Sequence, residues 1–544
     1  MIEQTDSRKP WFRSWPFLVA ASVLLPPVGL VLILTNRDLD APVKALGSAL
    51  VLLLGGLYAF LLLAPSDAPG SGDHFDALER HREEQRRSAP PAGAQALDSA
   101  AQPAAADPAA AEGQATIAGA EGATAAQPAA AGAAGAGEAA GAGTAAGAGT
   151  GAGAGAAPRR RNYWTQFRGP ARDGRYDEQA LKLDWPASGP PLLWRQPVGG
   201  GFASFSIANG LAYTIEQRRG QEVVAAYQVE TGREVWTHGW EASFRDSTGD
   251  GPRATPTWDD GRVYALGGAG ELRCLDAATG RLVWSKNVLA DSGASNLPWG
   301  TASSPLVFDD KVVVMTGAGG SKAVAAYHKA TGAPAWKAVQ DDASYTSPML
   351  LTLAGRRQVL VVTARRAAGL VPETGAVLWE FPWSNSAGIN VAQPVVVSPA
   401  RFLLSAGYGK GAALVEVSGS GGAMSAAAVW QNGTMRNKFN SSVFHNGHVY
   451  GLSEGVLTCV EAATGERRWQ ARGYGYGQLV LAGGHLVVTT DEGEVAVVRA
   501  APEGHSEVAR FKALEGQTWN NPAIAGGRLL LRNAAQMACF KLSD

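Results

Sequence analysis

The sequence predicts an all-β chain: an eight-bladed β-propeller of four-stranded antiparallel blades, closed by an N-terminal strand and preceded by two transmembrane helices and a disordered linker. Three observations predict it. Trp194, Trp236, Trp284, Trp336, Trp379, Trp430, Trp469 and Phe511 recur at intervals of 42, 48, 52, 43, 51, 39 and 42 residues, the length of one such blade. Eight hairpin turns recur in step with them, around Asn209-Gly210, Asp260-Gly261, Asp309-Asp310, Ala354-Gly355, Ser398-Pro399, Asn446-Gly447, Gly483-Gly484 and Gly526-Gly527. The repeats begin with an orphan outer strand, Leu192–Trp194, and end with a blade, Pro522–Leu542, that lacks one. Pairing the two closes the ring and removes free sheet edges.

Residues 1–15 form a short tail. Residues 16–35 and 45–64 are uncharged apolar runs of membrane-spanning length, so 16–64 reads as a two-helix transmembrane hairpin. Pro26-Pro27 in the first run is compatible with a kinked helix in lipid. Trp11, Trp15 and Tyr58 suit the interface. Counting Lys and Arg on either side of the spans places both ends in the cytoplasm. Residues 65–161 read as an Ala/Gly/Pro-rich linker. Within 89–157 only Leu97 and Ile117 are bulky and apolar, so the segment cannot bury enough surface to offset its ordering entropy and is expected to be a disordered tether.

Residues 162–544 carry the repeats. Five copies share a Thr-Gly pair four residues before the aromatic, as in Ala330-Thr331-Gly332 to Trp336. Glycine supplies the positive φ of a hairpin turn. The indole is expected to fill the gap between neighbouring blades, whose sheets face each other about 10 Å apart. Cys274, Cys459 and Cys539 occupy matching places in three repeats, with Tyr227 and Tyr327 assigned to the same slot in two others. Slots in separate blades lie too far apart to bridge, so the three thiols are expected to be small buried apolar groups. There is no Cys-x-x-Cys-His for covalent haem. A formal charge of −1 gives no global field that favours nucleic acid.

The segment Trp164-Thr-Gln-Phe167-Arg168-Gly169-Pro170-Ala-Arg-Asp173-Gly174, with Phe439-Asn440-Ser441-Ser442, Gly447-His448-Val449-Tyr450-Gly451 and Trp519-Asn520-Asn521-Pro522, resembles the FRGP-opening bacterial branch of the PQQ-like (quinoprotein-type) propeller repeat family, which includes BamB-like propellers. The resemblance spans roughly 162–544 and implies the same fold. It also implies export, which the charge count does not. The expectation carried forward is the inner (cytoplasmic) membrane, with the propeller facing the periplasm or exterior.

In this family a quinoprotein dehydrogenase needs a divalent cation on hard oxygen ligands, a carboxylate to take the substrate proton, and a flat ring against the quinone; its alcohol dehydrogenases add a vicinal disulfide. The chain has no adjacent cysteines, and Asp259, Asp260, Asp309 and Asp310 fall in hairpin turns. No catalytic or metal-binding residue is assigned. Residues just before each first strand should approach the axis: Phe205, Arg253, Trp299, Tyr345, Asn390, Lys438, Asn440, Tyr476, Trp519 and Asn520. Aromatic, amide and basic groups converging there suit an anionic or planar ligand, with Arg253 and Lys438 as the anion contacts. The expected function is a membrane-anchored, monomeric, protein-binding scaffold of the cell envelope, with no cofactor. The alternative is a dehydrogenase of alcohols or sugars using PQQ and calcium.

Overall fold

The computed structural model describes residues 163–543 apart from 187, 320–321 and 421–422, together with 72–88 and positions 33, 40, 42–49 and 51. Eight sheets follow one another along the chain, seven of four strands and one, blade seven, of four strands with a short fifth added at its inner edge. Blade one, for example, holds Ser206–Ala208, Leu211–Arg218, Gln221–Gln228 and Glu234–Glu241, all antiparallel. Blade eight is completed from the front. Leu192–Pro197 pairs antiparallel with Gln536–Lys541, and Trp194 stands opposite Cys539. Octad count and closure are both as the sequence predicts.

The turns explain the regularity. Asn209 and Gly210 take φ of 52° and 74°, Asp260 and Gly261 42° and 75°, Asn446 and Gly447 46° and 80°. Paired positive φ values match the right-handed twist of the flanking strands.

The Thr-Gly glycines do something further. A Cβ on Gly232 would lie 2.7 Å from the Trp194 ring, on Gly332 2.7 Å from Trp284, and on Gly375 2.5 Å from Trp336. Each glycine thus lets the indole of the preceding blade lie flat on the turn. The indole N–H then donates into that next blade: Trp194 to Val229 O at 2.8 Å, Trp236 to Ala277 O at 3.0 Å, Trp284 to Lys329 O at 2.9 Å, Trp336 to Pro372 O at 3.1 Å. Blade five has no Thr-Gly copy, and Trp379 donates instead to Gln358 of its own blade at 2.6 Å.

The cysteines are buried and free. Cys274 and Cys459 stand opposite Trp284 and Trp469 in the strand register. The same register places Ala226 and Ala326 in that slot, opposite Trp236 and Trp336, not Tyr227 and Tyr327. The tyrosines sit one residue on, so the alternation of a strand turns them to the other face.

The membrane hairpin expected at 16–64 lies outside the described residues except at positions 33, 40, 42–49 and 51. Among the described residues, no helix is long and apolar enough to cross a membrane. The assignment of 65–161 to linker needs one correction: Gly72–Ser88 is an α-helix, here α1. Its sequence is charge-rich rather than Ala/Gly-rich, and Glu83 and Arg87, one turn apart, pair at 3.3 Å. Residues 89–161 lie outside the described residues.

Candidate functional site

The segment Trp164–Gly174 lies across the axis of the ring. Trp164 bridges Ile207 of blade one, and Thr165 O accepts from Trp258 N–H of blade two at 2.8 Å. Arg172 donates to Ser304 O at 3.1 Å, to Pro305 O, and to Pro348 O at 2.9 Å, joining blades three and four. Arg168 donates to Ser442 O at 2.9 Å and Leu479 O at 3.1 Å, joining blades six and seven. Both guanidiniums are buried, and burial pulls Arg168 down to about 10 and Arg172 to about 9. Their partners are mostly backbone carbonyls at the starts of the inner strands, and Pro305 O also accepts from the Thr257 hydroxyl at 2.6 Å. Arg175–Tyr176, which follows, adds a short parallel strand beside Gln478–Ala482 of blade seven.

Phe167 from this segment forms part of the wall of an axial cavity of about 370 Å³. The rest comes from residues ahead of or opening the first strands and from one loop. Phe202, Phe439 and Trp519 form a continuous aromatic wall, with Phe439–Trp519 ring centres 4.7 Å apart and Phe202–Trp519 5.9 Å apart. Trp299 and Tyr345 meet edge to face at 5.6 Å on another side.

Two cations face this aromatic lining. Lys438 Nζ is 5.2 Å from the Tyr476 ring centre and 5.7 Å from that of Tyr408. The Arg253 guanidinium lies 4.8 Å from the Phe244 ring and 5.0 Å from Phe202. It donates to Gly249 O and Gly251 O, and Asp246 stands 3.7 Å away. Burial lowers the Arg253 pKa, partly opposed by Asp246. Burial pushes Tyr345 up to about 12, and its hydroxyl accepts the Trp299 N–H at 3.3 Å. Gln478 donates to Phe439 O at 3.2 Å and Trp519 O at 3.0 Å. Its Oε1 and the Trp519 indole N–H are buried without a partner. Among the described residues, no carboxylate lines the cavity.

Of the residues singled out from sequence, Arg253, Trp299, Tyr345, Lys438 and Trp519 line this cavity, and Tyr476 stands behind Lys438. Three amides do not. Asn390 donates to Thr363 O at 2.8 Å, Asn440 accepts from Asn437, and Asn520 donates to Ala203 O at 2.9 Å; all are buried. Phe205 belongs to the core. Tyr408 was missed because it lies between the second and third strands of blade five. In an antiparallel blade that loop opens on the same side as the start of the first strand, which a rule based only on first strands overlooks.

The family profile described as "Outer membrane protein assembly factor BamB" matches residues 219–471 and 423–506. The chain belongs to the PQQ-like propeller family. Among solved structures, this PQQ-like propeller is similar to the quinohemoprotein alcohol dehydrogenase of Comamonas testosteroni, at 15% identity over 70% of this chain and 80% of that one, with a TM-score of 0.51. Alcohol dehydrogenase ADHIIG of Pseudomonas putida HK5 gives 14%, 70%, 80% and 0.51. BamB of Moraxella catarrhalis gives 18% over 64% of this chain and 97% of that one, at 0.47. These likenesses describe a shared fold. No curated protein matches the sequence.

Proposed function

We propose that this PQQ-like propeller is a non-catalytic binding module of the cell envelope, held at the membrane by its N-terminal hairpin, that seats an anionic or aromatic part of a partner protein in the axial cavity. The observation that carries this reading is the cavity wall itself. It offers stacking faces and two cations, but no acid–base pair. Cation and ring together suit a segment presenting a carboxylate beside an apolar group. The family profile, named for an outer-membrane assembly factor, supports the same reading.

PQQ with calcium is the competing occupant, and the residues present do not fit it. Aromatic faces for a planar ring are there, but among the described residues the wall has no carboxylate to ligate the cation or to accept a substrate proton. Asp246, beyond Arg253, is bonded to Thr248 N–H at 2.8 Å. Among the described residues no three His, Cys, Asp or Glu side chains are grouped to hold a metal ion.

The test uses the full chain purified in detergent. Envelope proteins captured by the wild type should be lost with Lys438→Glu or Arg253→Glu, while both variants unfold as the wild type does. Capture that survives both charge reversals would remove the cavity from the proposal. Co-elution of a quinone absorbance after adding PQQ and Ca²⁺, or dye reduction with an alcohol or sugar, would establish the dehydrogenase instead.

A further inference from the structure

From Glu79 onward, α1 makes contacts that a passive spacer has no reason to make. Arg82 is only 7% exposed. It donates from Nη2 to Tyr227 Oη at 2.7 Å, and its Nε lies 2.6 Å from Glu234 Oε2. Glu216, fully buried beyond them, is 3.6 Å from Arg82 and 2.5 Å from Arg218. Burial alone would raise the Glu216 carboxyl; Arg218, Arg82 and Arg532 together hold it well below the usual range. Three residues on, Gln85 donates to Gln196 Oε1 at 2.9 Å, and its own Oε1 accepts the Glu234 N–H at 3.3 Å. Positions 82 and 85 share one face of the helix.

The partners belong to two parts of the ring. Gln196 lies on the closing strand of blade eight, whereas Glu216, Tyr227 and Glu234 lie on blade one. The helix therefore covers the seam at which a distant strand completes the circle.

We propose that residues 79–88 are a strap across this closing seam, fastened by Arg82 in the acidic pocket of blade one. Residues 79–88 are then bound to the propeller without the help of the Ala/Gly-rich stretch that follows them. The exposed pair Glu79–Arg219, at 2.9 Å, adds little, because screened surface pairs contribute at most about 1 kcal/mol. Arg82 is different. It is buried, and its loss takes from Glu234 a contact at 2.6 Å and from the Tyr227 hydroxyl its donor at 2.7 Å.

The experiment places a specific protease site between Gly141 and Ala142 of the full chain, cuts it in detergent, and follows the two fragments by size exclusion. The wild-type N-terminal fragment should co-elute with the propeller after cutting. Arg82→Glu should release it, with affinity down at least about 30-fold, as expected for truncating a buried charge pair. Arg82→Gln should weaken it less, and Glu79→Gln should leave it in place. Separation of the wild-type fragments on cutting would overturn the strap. Retention by Arg82→Glu, with the propeller still unfolding cooperatively by tryptophan fluorescence, would overturn the role of Arg82.

Discussion

A missing side chain fastens one blade to the next. Gly332 has φ of 71°, and its absent Cβ is where the Trp284 indole lies. Gly261 has φ of 75° with nothing within 4 Å of its would-be Cβ. Both Gly→Ala changes strain the backbone by about 1–2 kcal/mol. Gly332→Ala should cost about 1–3 kcal/mol more, because the new methyl must displace an aromatic ring. Urea titrations of the two variants check this, and equal midpoints would deny the contact its role. A second residue sets a pH response. Glu222 is buried, and burial pushes its carboxyl to about 7 despite the Gly268 N–H at 2.7 Å. Because that value lies above the 4.5 of a free carboxyl, the stabilisation from its bound proton is full below pH 4.5 and lost as pH rises through about 7. The span is about 3 kcal/mol at most. Glu222→Gln should flatten the fall in melting temperature between pH 5 and 8, read by calorimetry.

At the scale of elements, the segment Trp164–Gly174 has no strand or helix pattern, and only its resemblance to a family marked it in the sequence. Its role depends on carbonyls well over a hundred residues away, which no local rule reaches. Arg172→Ala removes the donor shared by Ser304, Pro305 and Pro348. Pro305 O keeps the Thr257 hydroxyl, but leaving the buried Ser304 and Pro348 carbonyls unpaired costs about 1–3 kcal/mol each in the worst case, so a loss of about 2–4 kcal/mol in denaturant is expected. Arg172→Lys should not restore it, since one ammonium lacks the planar fork that spans two blades. The helix α1 was hidden for a similar reason. Its charge-rich sequence differs from the linker that follows, but its partners Gln196, Tyr227 and Glu234 are more than a hundred residues away.

For the whole molecule, periodicity made the fold legible. Turn glycines and closing aromatics repeat, so blade number, blade order and the pairing of Trp194 with the last sheet could be read before any coordinates. The cavity was legible in part. Lys438, Arg253, Trp299, Tyr345 and Trp519 precede first strands and line one cavity, whereas Asn390 and Asn440 turn inward to satisfy backbone and side-chain groups. A one-residue difference in register separates wall from core, and composition does not encode it. Closure can be tested directly. Trp194→Ala deletes the bond to Val229 O and the ring over Gly232, and should cost about 3–5 kcal/mol, seen as a lowered unfolding midpoint. A change confined to blade eight, with the rest still protected from hydrogen exchange, would mean that the circle does not unfold as one unit.

The stretch Trp164–Gly174 serves two purposes. Its own chain crosses the bore, bonded to blade three on one side and blade seven on the other. Phe167 of this stretch is part of the cavity wall, so the same residues that knit the blades together also shape the space at the axis, and a change made for one purpose is felt in the other.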